Sequence, residues 1–149
     1  DSAVYLRNIE NGRNVIYVIF LSVWMCDSAA YIFGKKFGKS KILPNISPNK
    51  TWVGTFSGLI FSTVLLYIFI YIDFIKFNSY VFTIYDVIIM GIIVGVLGQL
   101  GDFFESMIKR EFNIKDSGTL LQGHGGVLDR FDSLLFVIPA FYIYFKNIL

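Results

Sequence analysis

Residues 53–72 form a run of twenty with no Asp, Glu, Lys or Arg among them. Wound as an α-helix at 1.5 Å per residue, such a run crosses the ~30 Å hydrocarbon core of a bilayer. Three further stretches fit the same pattern less purely. Residues 15–33 are interrupted by Asp27. Residues 80–100 carry Asp86, which must then sit near one interface. Residues 133–149 carry Lys146 close to their end, where its long stem can snorkel to the headgroups. Composition agrees. Charged residues make up 16% of the chain, against about 25% in soluble domains, and the mean hydropathy is +0.62. The expected fold is an all-α integral membrane protein, a polytopic bundle with about four transmembrane helices in one embedded unit. The single cysteine, Cys26, excludes an intrachain disulfide and a cysteine-based metal knuckle. A net charge of +2 is too small to suggest a nucleic-acid partner. The chain opens on Asp1 rather than Met and has no cleavable leader pattern, so it reads as a fragment or processed product.

Two polar connections, at about 34–52 and 101–132, separate these spans. Two spans lie between them, which puts both on one side of the membrane. The first holds Lys35, Lys36, Lys39, Lys41 and Lys50; the second holds Lys109, Arg110, Lys115 and Arg130. Nine of the thirteen basic residues therefore share a side, which the positive-inside rule makes cytoplasmic.

The second connection is unusually rich in chemistry. If residues 101–110 continue the third helix, Asp102, Glu105 and Lys109 fall at i, i+3 and i+7 and line one face. Asp129 and Asp132 are three apart at the start of the last helix and again share a face. Hard oxygen ligands at that density suit Mg²⁺, which binds through a few carboxylates plus substrate phosphates. Lys109, Arg110, Lys115 and Arg130 can neutralise phosphate oxygens. Gly123, Gly125 and Gly126 flank His124 and allow close backbone approach to a ligand. Together these suggest metal-assisted phosphoryl or nucleotidyl transfer. Plainer roles exist for each residue singly. Glu105 and Lys109 can form an i,i+4 pair worth about 0.3 kcal/mol, and Asp132 can pair with Arg130 or cap its helix. A lone His124 is more often structural than catalytic. So much charge brought to a bilayer boundary nevertheless needs a reason, and so does Asp27 inside a span, expected near the cytoplasmic end and facing the protein interior.

In the first connection, Ser47 followed by Pro48 reads as an N-cap with proline at the first helical position. A helix N-terminus beside Lys50 makes an anion site. The alternative is that this merely starts the second span while the lysines meet anionic lipid headgroups.

The segment Ser106-x-Ile108-Lys109-Arg110, Lys115-Asp116, Gly118, Leu121, then His124-Gly125-Gly126-Val127-x-Asp129-Arg130-Phe131-Asp132 closely resembles the signature of phosphatidate cytidylyltransferases. Asp27, Ala30, Tyr31, Gly34, Gly38, Ser47, Pro48, Lys50 and Thr51 resemble a second hallmark of that family. The chain departs from it at Gln122, where Pro or Gly is usual, and at Val53, where Glu is frequent. Family members have more spans, so this chain resembles their C-terminal portion. The resemblance implies Mg²⁺-dependent transfer of CMP from CTP to phosphatidate, giving CDP-diacylglycerol and pyrophosphate. It implies Asp102, Asp129 and Asp132 as metal ligands, with Glu105 and Asp27 as weaker candidates, and Lys109, Arg110 and Arg130 on phosphate oxygens. Ser47 and Lys50 are expected to bind phosphate from the other loop, and His124, Gly125 and Gly126 to shape the nucleotide pocket. The expected setting is a bacterial inner membrane among membrane lipids, with a homodimer as a compatible assembly.

Three alternatives stay open on sequence. One is a transporter that uses Asp27 and Asp86 as ion-coupling carboxylates. The others are a related enzyme acting on another lipid phosphate and an inactive partner subunit. Cysteines substituted at Lys50 and Asp129 are expected to react with a membrane-impermeant thiol reagent from the same, cytoplasmic side. Labelling on opposite faces excludes a shared pocket.

Overall fold

Lipid offers no water to backbone N–H and C=O groups, so an apolar run that crosses a bilayer must satisfy them internally as helix. The computed structural model describes residues 1–44, 47–112 and 128–149, with side chains at all of these except 48 and 128–130. Four helices in it are long and apolar enough to cross a membrane: Gly12–Phe37, Trp52–Tyr71, Ile84–Glu111 and Phe131–Ile148. A short helix, α1 (Ser2–Asn8), precedes the first long one, α2 (Gly12–Phe37). A two-stranded antiparallel hairpin follows, β1 (Lys41–Leu43) and β2 (Ser47–Thr51), leading into α3 (Trp52–Tyr71). The third span is one rod made of α4 (Ile84–Ile92), a π-helical turn (Ile93–Gly98) and α5 (Gln99–Glu111). Last comes α6 (Leu128–Ile148).

The second span shows how its sequence fits lipid. Trp52, Phe56, Ile60, Val64, Tyr67 and Tyr71 form an outward stripe, all of them exposed. Aromatic rings stand at both ends of that stripe, about 28 Å apart along the axis, as interfacial belts require. The opposite face is small. A Cβ on Gly54 would lie 2.6 Å from the Ala30 carbonyl oxygen, and one on Gly58 would lie 2.9 Å from that of Cys26. Without these side chains α3 lies directly on α2, the way membrane helices gain packing where water gives no drive. Gly101 serves the same end elsewhere, since a Cβ there would lie 2.7 Å from the Asp132 carbonyl oxygen of α6. The interior is filled by Val15, Val18, Ile19 and Val23 of α2, Met90 and Val94 of the rod, and Leu134, Val137, Phe141 and Phe145 of α6.

Residues 72–83 close the far end of the bundle. The Asn11 and Asn14 side-chain amides donate to the Lys76 and Phe74 carbonyls at 2.6 and 2.8 Å, and Ile75 and Phe77 are buried beneath that crossing.

Three expectations change. Ser47 does not cap the second span, because residues 47–51 pair as a strand with β1. The cap is Thr51, whose Oγ1 accepts from the Gly54 N–H at 3.2 Å, so the helix starts one residue later at Trp52. The hairpin also adds a small sheet to a fold expected to be wholly helical. The third span begins at Ile84 rather than 80, and it continues through Glu111, as the helical extension past Gly101 required.

Gly58→Leu is expected to destabilise the intact protein by about 2 kcal/mol through overpacking against α2. Phe56→Leu, on the outward face, should change thermal unfolding in detergent little. Equal effects of the two would refute the packing assigned to this face.

Candidate active site

The hairpin decides where Lys50 goes. Side chains alternate across a strand, so Thr51 and Lys50 leave β2 on opposite faces. Thr51 is buried against α2, where a Cβ on Gly34 would lie 3.0 Å from its Oγ1 and one on Gly38 would also meet it. Lys50 turns the other way and forms an ion pair with Asp102 of α5, with the two side chains 23% and 34% exposed. Its Nζ lies 4.0 Å from the centre of the Phe103 ring. Cation–π contact of this kind adds about 0.5–2 kcal/mol as water is excluded.

Asp27 reaches the same place from α2. Its charged neighbours are Asp102, Asp132 of α6, and Lys50. Asp27 keeps solvent exposure while facing two acids and a lysine from three other elements. Four elements thus contribute charge to one recess. Asp27 stands ten residues before the end of α2 and Asp102 nine before the end of α5, so the recess lies about 13–15 Å below those helix ends.

Beneath the charged groups is a neutral tie that the sequence did not flag. The Gln99 side-chain amide donates to the Thr55 carbonyl at 3.1 Å and contacts Cys26 Sγ at 3.7 Å. One buried amide therefore joins α2, α3 and α5 next to Asp27 and three residues before Asp102. The available signal was an amide side chain inside an otherwise apolar span, which needs a partner wherever it is buried.

Other candidates are placed differently. Glu105 is 6% exposed and pairs with Lys109 at 3.5 Å, so the i,i+4 pair exists, but as a partly buried one. Asp132 Oδ1 accepts from the Ser133 N–H at 2.6 Å. Arg110 leaves the Asp102 face and lines a largely apolar recess of about 550 Å³ with Phe104, Met107, Ile108, Glu111 and Phe112. Ser47 is half-buried on β2. His124, Gly125 and Gly126 lie outside the described residues, as do the side chains of Asp129 and Arg130.

Asp86 has a separate job. It is 5% exposed and lies sixteen residues before Asp102 on the same rod, about 24 Å away. Its Oδ2 accepts from the Thr83 N–H at 2.6 Å and the Thr83 hydroxyl at 2.7 Å. Its Oδ1 accepts from the Tyr80 hydroxyl at 2.8 Å and from that of Tyr144. This carboxylate caps α4 and fastens it to the end of α6.

Fold and site define a polytopic helical membrane protein with an acidic, lysine-bearing recess beneath one face. The chain belongs to the Cytidylyltransferase family, whose model matches residues 1–148. It is similar to proteins named phosphatidate cytidylyltransferase from Staphylococcus haemolyticus (47% identical over 130 residues) and Staphylococcus saprophyticus (48% over 131). The one from Staphylococcus aureus is 47% identical over 130 residues. Each match covers 87% of this chain and 48% of the relative, so the chain spans about half the length of the relatives it matches.

Gly38→Val is expected to push Thr51 off α2 and loosen the hairpin. In membranes, tryptic cleavage after Lys39 and Lys41 should rise several-fold. An unchanged rate would show that the hairpin is not docked through this contact.

Proposed function

We propose that the chain is the C-terminal catalytic part of a phosphatidate cytidylyltransferase, which transfers CMP from CTP to phosphatidate. The observation that carries this is the meeting of Asp27, Asp102, Asp132 and Lys50, from four separate elements, in a chain of the Cytidylyltransferase family. In this reaction a phosphate oxygen of phosphatidate bonds to the α-phosphorus of CTP as the bond to the β-phosphate oxygen breaks, releasing pyrophosphate. The attacking monoester is already ionised near neutral pH, so no strong general base is required. The difficulty is bringing two polyanions together, and the chain's part is to supply and orient positive charge.

The donor set fits Mg²⁺. Among the described residues no three acidic, His or Cys side chains stand close enough to enclose an ion, but Mg²⁺ keeps waters and asks only one or two carboxylates beside substrate phosphates. Asp102, Asp129 and Asp132 would hold it, with Asp27 and Glu105 nearby as weaker candidates. When bound, it supplies neutralisation of the triphosphate that side chains alone cannot match. Lys50, Lys109 and Arg130 are assigned to phosphate oxygens, Ser47 to a phosphate from the hairpin, and His124, Gly125 and Gly126 to the nucleotide pocket. Arg110 beside an apolar recess suits the phosphate of a lipid whose chains follow Phe104 and Met107. The basic loops support a cytoplasmic site in a bacterial inner membrane, and the bacterial relatives agree with that setting. The outward stripe of α3 offers a face for lipid or for a homodimer.

A transporter with Asp27 and Asp86 as coupling carboxylates is disfavoured, since each oxygen of Asp86 already accepts two hydrogen bonds at the other end of the bundle. The intact protein supplied with CTP and phosphatidate is expected to release pyrophosphate, and Asp129→Asn should fold but lose at least about 100-fold in turnover. A near wild-type rate in that variant refutes its assignment. Ion-dependent solute uptake without pyrophosphate release refutes the enzyme.

A further inference from the structure

Lys50 presents a difficulty for the metal assignment and a resolution of it. Its ammonium already supplies positive charge to these carboxylates: it is paired with Asp102 and is the cation among the charged neighbours of Asp27. The nitrogen is closed off from solvent, and the Phe103 ring beneath it, 4.0 Å from the ring centre, holds an ammonium well but offers no ligand to a hydrated metal. The backbone carrying Lys50 is held on both sides, by pairing with β1 and by the Thr51 cap of α3. The side chain has four rotatable bonds beyond that anchor, so the ammonium can leave while the strand stays.

We propose that Lys50 is a resident counter-ion of the acidic recess, holding Asp102 in the absence of a divalent cation and releasing it when the cation binds, which frees the ammonium for a substrate phosphate. This rests on the assignment of Asp102 as a metal ligand. A single positive charge offsets part of the repulsion among Asp27, Asp102 and Asp132. A divalent ion that brings its own waters offsets more, so the exchange runs toward the metal. The same lysine then meets the triphosphate only after the metal is in place, which orders the two events.

The test uses Mn²⁺ as a paramagnetic stand-in, added without nucleotide to the intact purified protein and followed by loss of the free-ion resonance signal. Lys50→Met is expected to bind Mn²⁺ at least about tenfold more tightly than wild type, because a neighbouring positive charge shifts even a carboxylate's proton equilibrium by about one to three powers of ten, and a doubly charged ion feels the same repulsion more strongly. Asp102→Asn should abolish tight binding in either background. Binding by Lys50→Met no tighter than by wild type, with wild type still dependent on Asp102, overturns the counter-ion role and leaves the metal assignment standing. Absence of Asp102-dependent binding in both proteins overturns both.

A measurement on unaltered protein covers the case in which Lys50→Met does not fold. Acylation of Lys50 by a small water-soluble reagent, followed by peptide mass spectrometry, should speed up several-fold when Mn²⁺ is added. An unchanged or slower rate overturns the proposal.

Discussion

Carboxylates drawn below a membrane surface repel one another, and something positive must hold them. At 4 Å and an effective dielectric of about 20, two unit charges interact by about 4 kcal/mol, comparable to much of a domain's net stability. Asp27, Asp102 and Asp132 come from three different helices, so their repulsion acts directly on the bundle. The Lys50–Asp102 pair answers it by tying the hairpin before α3 to α5 at the level where the acids gather. The ammonium nitrogen itself is covered, while the Asp102 side chain stays 34% exposed. A fully dehydrated pair would lose more in desolvation than it regained, and the exposure left on the Asp102 side limits that loss.

The helices can come this close because their contact faces are nearly bare. Gly54 and Gly58 let α3 lie on α2, and Gly101 lets α5 lie on α6. Each of these contacts is within a few residues of a charged group in the recess. Close backbone packing and the gathering of charge are therefore one arrangement, with Gln99 as the polar link between the apolar floor and the acids above it.

The two ends of the bundle use aspartate in opposite ways. At the far end, Asp86 has two hydrogen bonds to each oxygen and is structurally saturated. In the recess, Asp27 and Asp102 share a lysine and remain partly open. Hydrogen bonds to a charged group contribute about 1.5–3 kcal/mol each, so Asp86 is a strong fastener and a poor candidate for exchange with a mobile ion. The distinction is invisible in the residue letter and lies wholly in what each carboxylate touches.

Much of this protein was legible in its residues. Four apolar runs, the loop charges and the spacing of Asp102, Glu105 and Lys109 follow from the helix period and the thickness of lipid, and both are local properties. The motif residues also named acids, of which Asp102 and Asp132 stand near Asp27. What the residues could not say was which partner each would take. Ser47 and Pro48 carry a helix-start pattern, yet cross-strand pairing with residues 41–43 overrode it and passed the cap to Thr51. Lys50 could have faced lipid or phosphate by sequence; alternation along the strand sent it to Asp102. Arg110, adjacent to Lys109 in the chain, was carried by the turn of the helix to a different recess. Local propensity and periodicity are written residue by residue. The choice among competing partners depends on distances between segments far apart in the chain, and those exist only once the helices have packed.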